Sequence, residues 1–280
     1  MEGLDVRHIA RLMCVAAVGL AAVGCGGKPG RQGGAGHAAA MPLEVFAPWS
    51  MEKRLRRVVE IFQEACPNTP VRFTTGTPGK LIGKIKRGAR PHAYIAMGPA
   101  EIEVLDQLGL TVRGSAREIL KQSLVLAVGQ AARNRVTELR DLAKPEVEAV
   151  GMGRPTLTSG RLSRAALAKL GILEAVEPKA RTSPLRALVL GDVDAAFIYS
   201  ECCYDEDLFV GAMVPRKGIA VAKPLPRDLC EPFPVVAVAI KTRPPHPDAA
   251  LFVRTLCEKR AQDILLRRGA WSCPICEMEP

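Results

Sequence analysis

Aromatic residues are scarce in this 280-residue chain: two Trp, three Tyr and seven Phe make up 4% of it. Single-stranded nucleic-acid surfaces interleave stacking aromatics with basic grooves. Here Lys and Arg are scattered and no nucleic-acid motif occurs, so the formal charge of +10 and pI near 9.3 do not point to nucleic acid. A mildly basic surface instead favours the approach of a small anion. Histidine is scarcer still; His8, His37, His92 and His246 show no metal-ligand spacing. No nucleophile stands in a pattern with a base and an orienting group. No catalytic apparatus and no cofactor are therefore expected. There is no usable internal repeat. The apolar run Leu12 to Gly24 is too short to span a bilayer.

What is present begins at the N-terminus. Arg7, His8 and Arg11 make a positive segment ahead of that apolar run, the pattern of an export signal over residues 1–25. Its end, Ala21-Ala22-Val23-Gly24-Cys25, resembles a bacterial lipoprotein cleavage box, which would make Cys25 the acylated N-terminus and anchor the protein to a membrane. The alternatives are an ordinary signal peptide cut nearby or an anchor that is retained. Residues 26–40, rich in Gly and Ala, cannot bury a core and read as a flexible tether. Export to the periplasm or cell envelope is expected.

From about Met41 the pattern alternates. Leu43 to Ala47 reads as a strand, Met51 to Ala65 as a helix, Val71 to Thr74 as a strand and Gly79 to Lys86 as a helix. Ala93 to Ala96 and a helix over Glu101 to Leu108 continue the β-α succession, which predicts a parallel sheet covered on both faces. A second block follows: strands at Ser123 to Val128, Ala149 to Met152 and Ala195 to Tyr199, a short helix at Leu139 to Leu142, and helices from Ser159 to Leu170 and from Pro184 to Leu190. Phe233 to Ile240 is again a strand, and one or two helices lie between Pro247 and Arg268. The expected organisation is two α/β lobes, residues 41–122 plus 233–280 and residues 123–232, joined by two crossovers around a hinged cleft.

Three segments stand out: those ending at Ser50, around Thr77 and at Tyr199. The first two run from a strand into a helix, whose first N–H groups and positive dipole end suit an anion. Taken alone, Ser50 reads as an N-cap and Tyr199 as a core or interface residue.

In their order and spacing these segments resemble the periplasmic molybdate-binding proteins, the substrate-binding components of ABC importers. The likeness covers nearly all of residues 43–272. It is carried by Phe46-Ala47-Pro48-Trp49-Ser50, the helix start at Gly79, the run Ser123 to Val128, Pro155 to Gly160, Ala165 to Gly171, Gly191 to Tyr199 and Ala261 to Gly269. The resemblance implies a two-lobe binding fold of type II, each lobe a mainly parallel sheet with helices on both faces. It implies a tetrahedral oxyanion as ligand, molybdate or tungstate first, an ABC permease as partner, and a monomeric receptor. By the same likeness Ser50 and Tyr199 contact the oxyanion from opposite lobes, and Ser159 supplies a second-lobe amide. The family's second serine is replaced by Pro78, which has neither hydroxyl nor amide to give. Thr77 stands in beside it, with the amides of Gly79 and Lys80. Gly98 or Met97 offers its backbone. Arg181, with Ser183 as a competing placement, would add a cation that widens the choice of oxyanion.

The cysteines remain. Besides Cys14 and Cys25 there are seven, and export makes disulfides the default for all but one. Cys273-Pro274-Ile275-Cys276 has redox or zinc spacing, and Cys202-Cys203 stands near Asp205, Glu206 and Asp207. The second hypothesis is therefore a metal-binding or thiol-redox lipoprotein on the same fold, using Cys202, Cys203, Cys273 and Cys276.

Overall fold

The first strand, β1 (Leu43–Pro48), is buried along almost its whole length and sorts its side chains between two clusters. Leu43, Val45 and Ala47 join the main core, whereas Phe46 joins a smaller one with Leu81, Ile85 and Tyr94. This alternation is the period of a pleated strand, and it requires helices on both faces of the sheet. The computed structural model describes residues 41–206 and 213–266. Cys25, the tether, Cys273 and Cys276 lie outside the described residues.

Helix α1 (Glu52–Ala65) presents Leu55, Val58, Ile61 and Phe62 at helical spacing to one face. There Phe62 meets Phe252 edge to face, 5.4 Å between ring centroids. β2 (Val71–Gly76), α2 (Pro78–Lys86), β3 (Ala93–Ala96), α3 (Pro99–Gln107) and β4 (Arg117–Gln122) follow. The chain then enters a second sheet through β5 (Leu124–Gly129), β6 (Val150–Gly151), α4 (Thr158–Lys169), α5 (Leu173–Val176), β7 (Ala180–Arg181), α6 (Pro184–Leu190) and β8 (Ala195–Tyr199). A small hairpin, β9 (Tyr204–Glu206) with β10 (Met213–Pro215), precedes β11 (Ile219–Pro224). β12 (Phe233–Ala239) returns to the first sheet, and α7 (Ala249–Thr255) and α8 (Lys259–Leu265) complete it.

The strand orders are β2-β1-β3-β12-β4 and β11-β5-β8-β6-β7. The architecture is thus two α/β lobes, but each sheet is mixed rather than mainly parallel. β1 is parallel to β2 and β3, and β6 to β7 and β8, as strands fed by helices of their own sheet should be. β5 and β12 arrive across the lobe junction instead, and each runs antiparallel to both neighbours. The strands not anticipated in the two main sheets, β4, β7 and β11, are all edge strands. β4 reads Arg117-Glu118-Ile119-Leu120-Lys121-Gln122, a charged edge without a continuous apolar run.

In the second lobe Asp141 closes a local network. Its Oδ2 accepts from Thr137 N–H (2.7 Å), the Thr137 hydroxyl (2.8 Å) and Glu138 N–H (3.0 Å), and Lys144 Nζ lies 2.7 Å from Oδ1. The bond from Lys144 and these donors hold the carboxyl well below its ordinary value of 3.8, against the opposing effect of burial. A depressed folded-state value means the stabilisation is present above 3.8 and is lost as pH falls. Asp141→Ala is expected to lower the unfolding free energy by about 2–3 kcal/mol at neutral pH. In urea titrations the gap from wild type should shrink as the pH is taken below 3.8.

Candidate functional site

The carboxyl ends of β1 and β2 lie side by side, because the parallel register pairs Pro48 with Gly76. β3 flanks β1 on the other side in the same direction. Such strand ends are where open α/β sheets place their ligands. Ser50 sits here, half-buried in the 3-10 turn Trp49–Met51. It does not cap α1, whose cap position is Met51. Thr77 is the cap residue of α2, with Pro78 at the first helical position. The Thr77 carbonyl accepts from Lys80 N–H (3.0 Å) and Leu81 N–H (3.1 Å). The Lys80 amide, expected to be open, is therefore taken up within the helix.

The second lobe meets these ends with the N-terminus of α4. Leu157 faces Gly79, where an added Cβ would lie 3.3 Å from Leu157 Cδ1. Thr158 faces Gly98, where a Cβ would come within 2.6 Å of its Oγ1, 2.8 Å of its Cβ and closer still to Cγ2. Glycine at 98 is thus what permits this approach. Thr158 is buried, and its hydroxyl works in both directions: it accepts from Ala100 N–H (3.2 Å) and donates to Glu101 Oε2 (2.9 Å). The Thr158 amide donates to Glu101 Oε1 (3.3 Å). The next amide, of Ser159, donates to the Tyr199 hydroxyl (3.2 Å). Tyr199 closes β8, only 7% exposed, 6.0 Å from the Phe233 ring. Because its oxygen accepts from Ser159, its own O–H hydrogen is left to donate. Burial first and the Glu101 charge second push that phenol well above its ordinary value of 10.0, so it stays protonated.

Gly79, Gly98, Ser159 and Tyr199 therefore converge around one helix terminus. Arg181 does not join them: it is exposed on edge strand β7, and its guanidinium donates to the neighbouring Ala180 carbonyl (3.1 Å). The inward cation considered for it is not supplied in this arrangement. Ser183, the competing placement, is also exposed, in the left-handed region at φ 61°.

Two further contacts join the lobes, and a third braces the first lobe at the crossover, none of them singled out by the sequence. Arg54 of α1 pairs with Glu201 just after Tyr199 (3.2 Å), both side chains almost wholly buried, and also donates to the Leu265 carbonyl (2.7 Å). The guanidinium of Arg216 lies 5.0 Å from the Trp49 ring centroid while its Nε donates to the Cys202 carbonyl (3.0 Å). Gln122, at the first crossover, donates from Nε2 to the Met97 carbonyl (2.5 Å). Glu101 was also missed, since a glutamate in the first turn of a helix is what dipole and capping preferences supply anyway.

The cysteines do not assemble a second centre among the described residues. Cys66, Cys202, Cys230 and Cys257 are free thiols, contrary to the disulfide default. Burial, then Glu201, pushes the Cys202 thiol up to about 12, which leaves little thiolate to bind a metal or attack a disulfide. The described residues contain no group of three or more His, Cys, Asp or Glu placed to hold a metal ion.

Two α/β lobes with a helix terminus of one set against strand ends of the other define a two-lobe solute-binding fold. The sequence profile of the bacterial extracellular solute-binding proteins matches residues 43–270, and the chain belongs to that family. Solved structures give the same fold. The periplasmic molybdate-binding protein of Azotobacter vinelandii is 18% identical over 80% of this chain and 96% of its own, with a TM-score of 0.63. The sulfate-binding protein SubI of Mycobacterium tuberculosis is 14% identical over 81% and 85%, TM-score 0.62. The iron-bound HitA of Pseudomonas aeruginosa is 17% identical over 82% and 85%, TM-score 0.52. No curated protein matches the chain by sequence.

Two substitutions test the junction. Gly98→Ala should keep each lobe folded but force α4 away from α3, raising the radius of gyration in small-angle scattering. Arg54→Ala leaves the Glu201 carboxylate buried without its cation and should cost about 3–5 kcal/mol in chemical denaturation.

Proposed function

We propose that this protein is an exported receptor that closes its two lobes on a small tetrahedral oxyanion, molybdate or tungstate first, and passes it to the permease of an ABC importer. The observation that carries this reading is the meeting of the α4 terminus with the ends of β1, β2 and β3: Ser159 N–H reaches the Tyr199 hydroxyl beside Gly79 and Gly98. The start of α2 at Gly79 and a phenol that keeps its proton, held in place by the Ser159 amide, are neutral donors fixed before the ligand arrives. They hold an oxyanion without paying to reorganise water once the cleft has shut. Ser50 and Thr77 supply hydroxyls from the first lobe, Gly79 and Gly98 supply backbone, and Ser159 and Tyr199 close from the second. Two of the structural relatives are a molybdate-binding and a sulfate-binding protein, which supports an oxyanion. Cys25, acylated after removal of residues 1–24, tethers the receptor to the membrane through residues 26–40, and the protein acts as a monomer.

Isothermal titration with molybdate, tungstate, sulfate and phosphate is the direct test. Binding of at least one is expected, and no heat from any of the four with folded protein would end this reading. Tyr199→Phe removes one donor to a charged ligand and should weaken the bound anion about 10- to 100-fold. Cys273→Ser should leave the affinity within a factor of two.

A further inference from the structure

The residue that departs most from a site of neutral donors is Glu101. It is 0% exposed, at the start of α3, and its two oxygens accept from the amide and the hydroxyl of Thr158 in the other lobe. The Thr158 hydroxyl accepts from Ala100 N–H and donates to Glu101 Oε2. Burial raises the Glu101 carboxyl from its ordinary value of 4.5, and the two bonds from Thr158, with both carboxyl oxygens accepting, oppose it in favour of the ionised form. Thr158 and Ser159 are consecutive, and their amides serve Glu101 and Tyr199 respectively. The carboxylate therefore sits directly beside the phenol that is to donate to the ligand. Arg161, one turn along α4, adds some opposing charge, but its guanidinium is engaged at the surface by Glu103 (2.8 Å).

We propose that Glu101 is the residue that sets the charge selectivity of the cleft, disfavouring doubly charged oxyanions relative to singly charged ones of the same shape. The proposal rests on the oxyanion-receptor reading above. A fixed buried carboxylate adds a like-charge repulsion that grows in proportion to the charge of the ligand, and it acts in surroundings where water screens poorly. It also occupies the α4 amide that a second-lobe anion would otherwise receive first. Molybdate and tungstate then enter against a cost set by their second charge, and a tetrahedral oxyanion with one negative charge, or one that retains a proton for the carboxylate to accept, binds at least as well.

Tungstate and perrhenate make the comparison, being tetrahedral ions of closely similar size that carry two charges and one. Affinities of the full chain for both are measured by isothermal titration, in wild type and in Glu101→Gln, which keeps the shape and removes the charge. The ratio of the two affinities cancels any change in the ease of lobe closure. Wild type should bind perrhenate at least as tightly as tungstate, and E101Q should shift the ratio tenfold or more towards tungstate. Thr158→Val, which removes the hydroxyl donor but leaves the carboxylate charged, should hold the ratio within threefold or move it towards perrhenate. A shift towards tungstate in Thr158→Val as large as that in E101Q would assign the effect to packing and overturn the proposal. A ratio that moves less than threefold in E101Q overturns it too. So does a tenfold tungstate preference in wild type, which stands even if the variant fails to fold. Binding with an unchanged ratio sinks the proposal alone, whereas no binding of either anion by wild type sinks it together with the receptor reading.

Discussion

The docking of the α4 terminus against the first lobe is the contact on which the site depends. A helix start carries amides that the helix itself cannot satisfy. At this one, the first two are answered by Glu101 from the opposite lobe and by Tyr199 from the neighbouring strand. The approach requires Gly98, because any side chain there would collide with Thr158. Sterics and hydrogen bonding thus act on the same few residues, and both favour lobes that have come together. The Arg54–Glu201 pair and the Trp49–Arg216 contact join the same two lobes with charge and ring surface.

This arrangement suits a receptor whose role is to bind and release. At the α4 terminus the groups that meet are polar and pairwise, so separating them exposes functions that water can serve, while the apolar core runs on from one lobe into the other. Each lobe keeps its own sheet and its own helices. The lobes can therefore part without unfolding, which is what hinge closure over a ligand needs. The buried Glu101 carboxyl stands here among otherwise neutral groups.

Legibility from sequence varied with the kind of residue. The central strands β1, β3, β5 and β8 are almost entirely buried and announce themselves as apolar runs. The edge strands β4, β7 and β11 do not, since an edge mixes charged and apolar residues on a strand that is solvated along one side. Among site residues, Gly79, Gly98, Ser159 and Tyr199 stand at element ends, where local pattern and family likeness both point. Arg181 shows the limit of that approach, because alignment gives a position but not a side-chain direction.

The amino-acid sequence by itself determined the alternation of strands and helices and the two-lobe α/β class. Both follow from the local periodicity of apolar residues and the residues that punctuate it. Only the tertiary structure decided the mixed direction of the sheets, the exposure of Arg181 and the burial of Glu101. Those depend on contacts between residues far apart in the chain: Glu101 becomes part of the cleft because Thr158, 57 positions later, is folded against it. A helix-start glutamate looks the same in sequence whether it faces water or the opposite lobe, and the difference in its electrostatic consequence is set wholly by what packs over it.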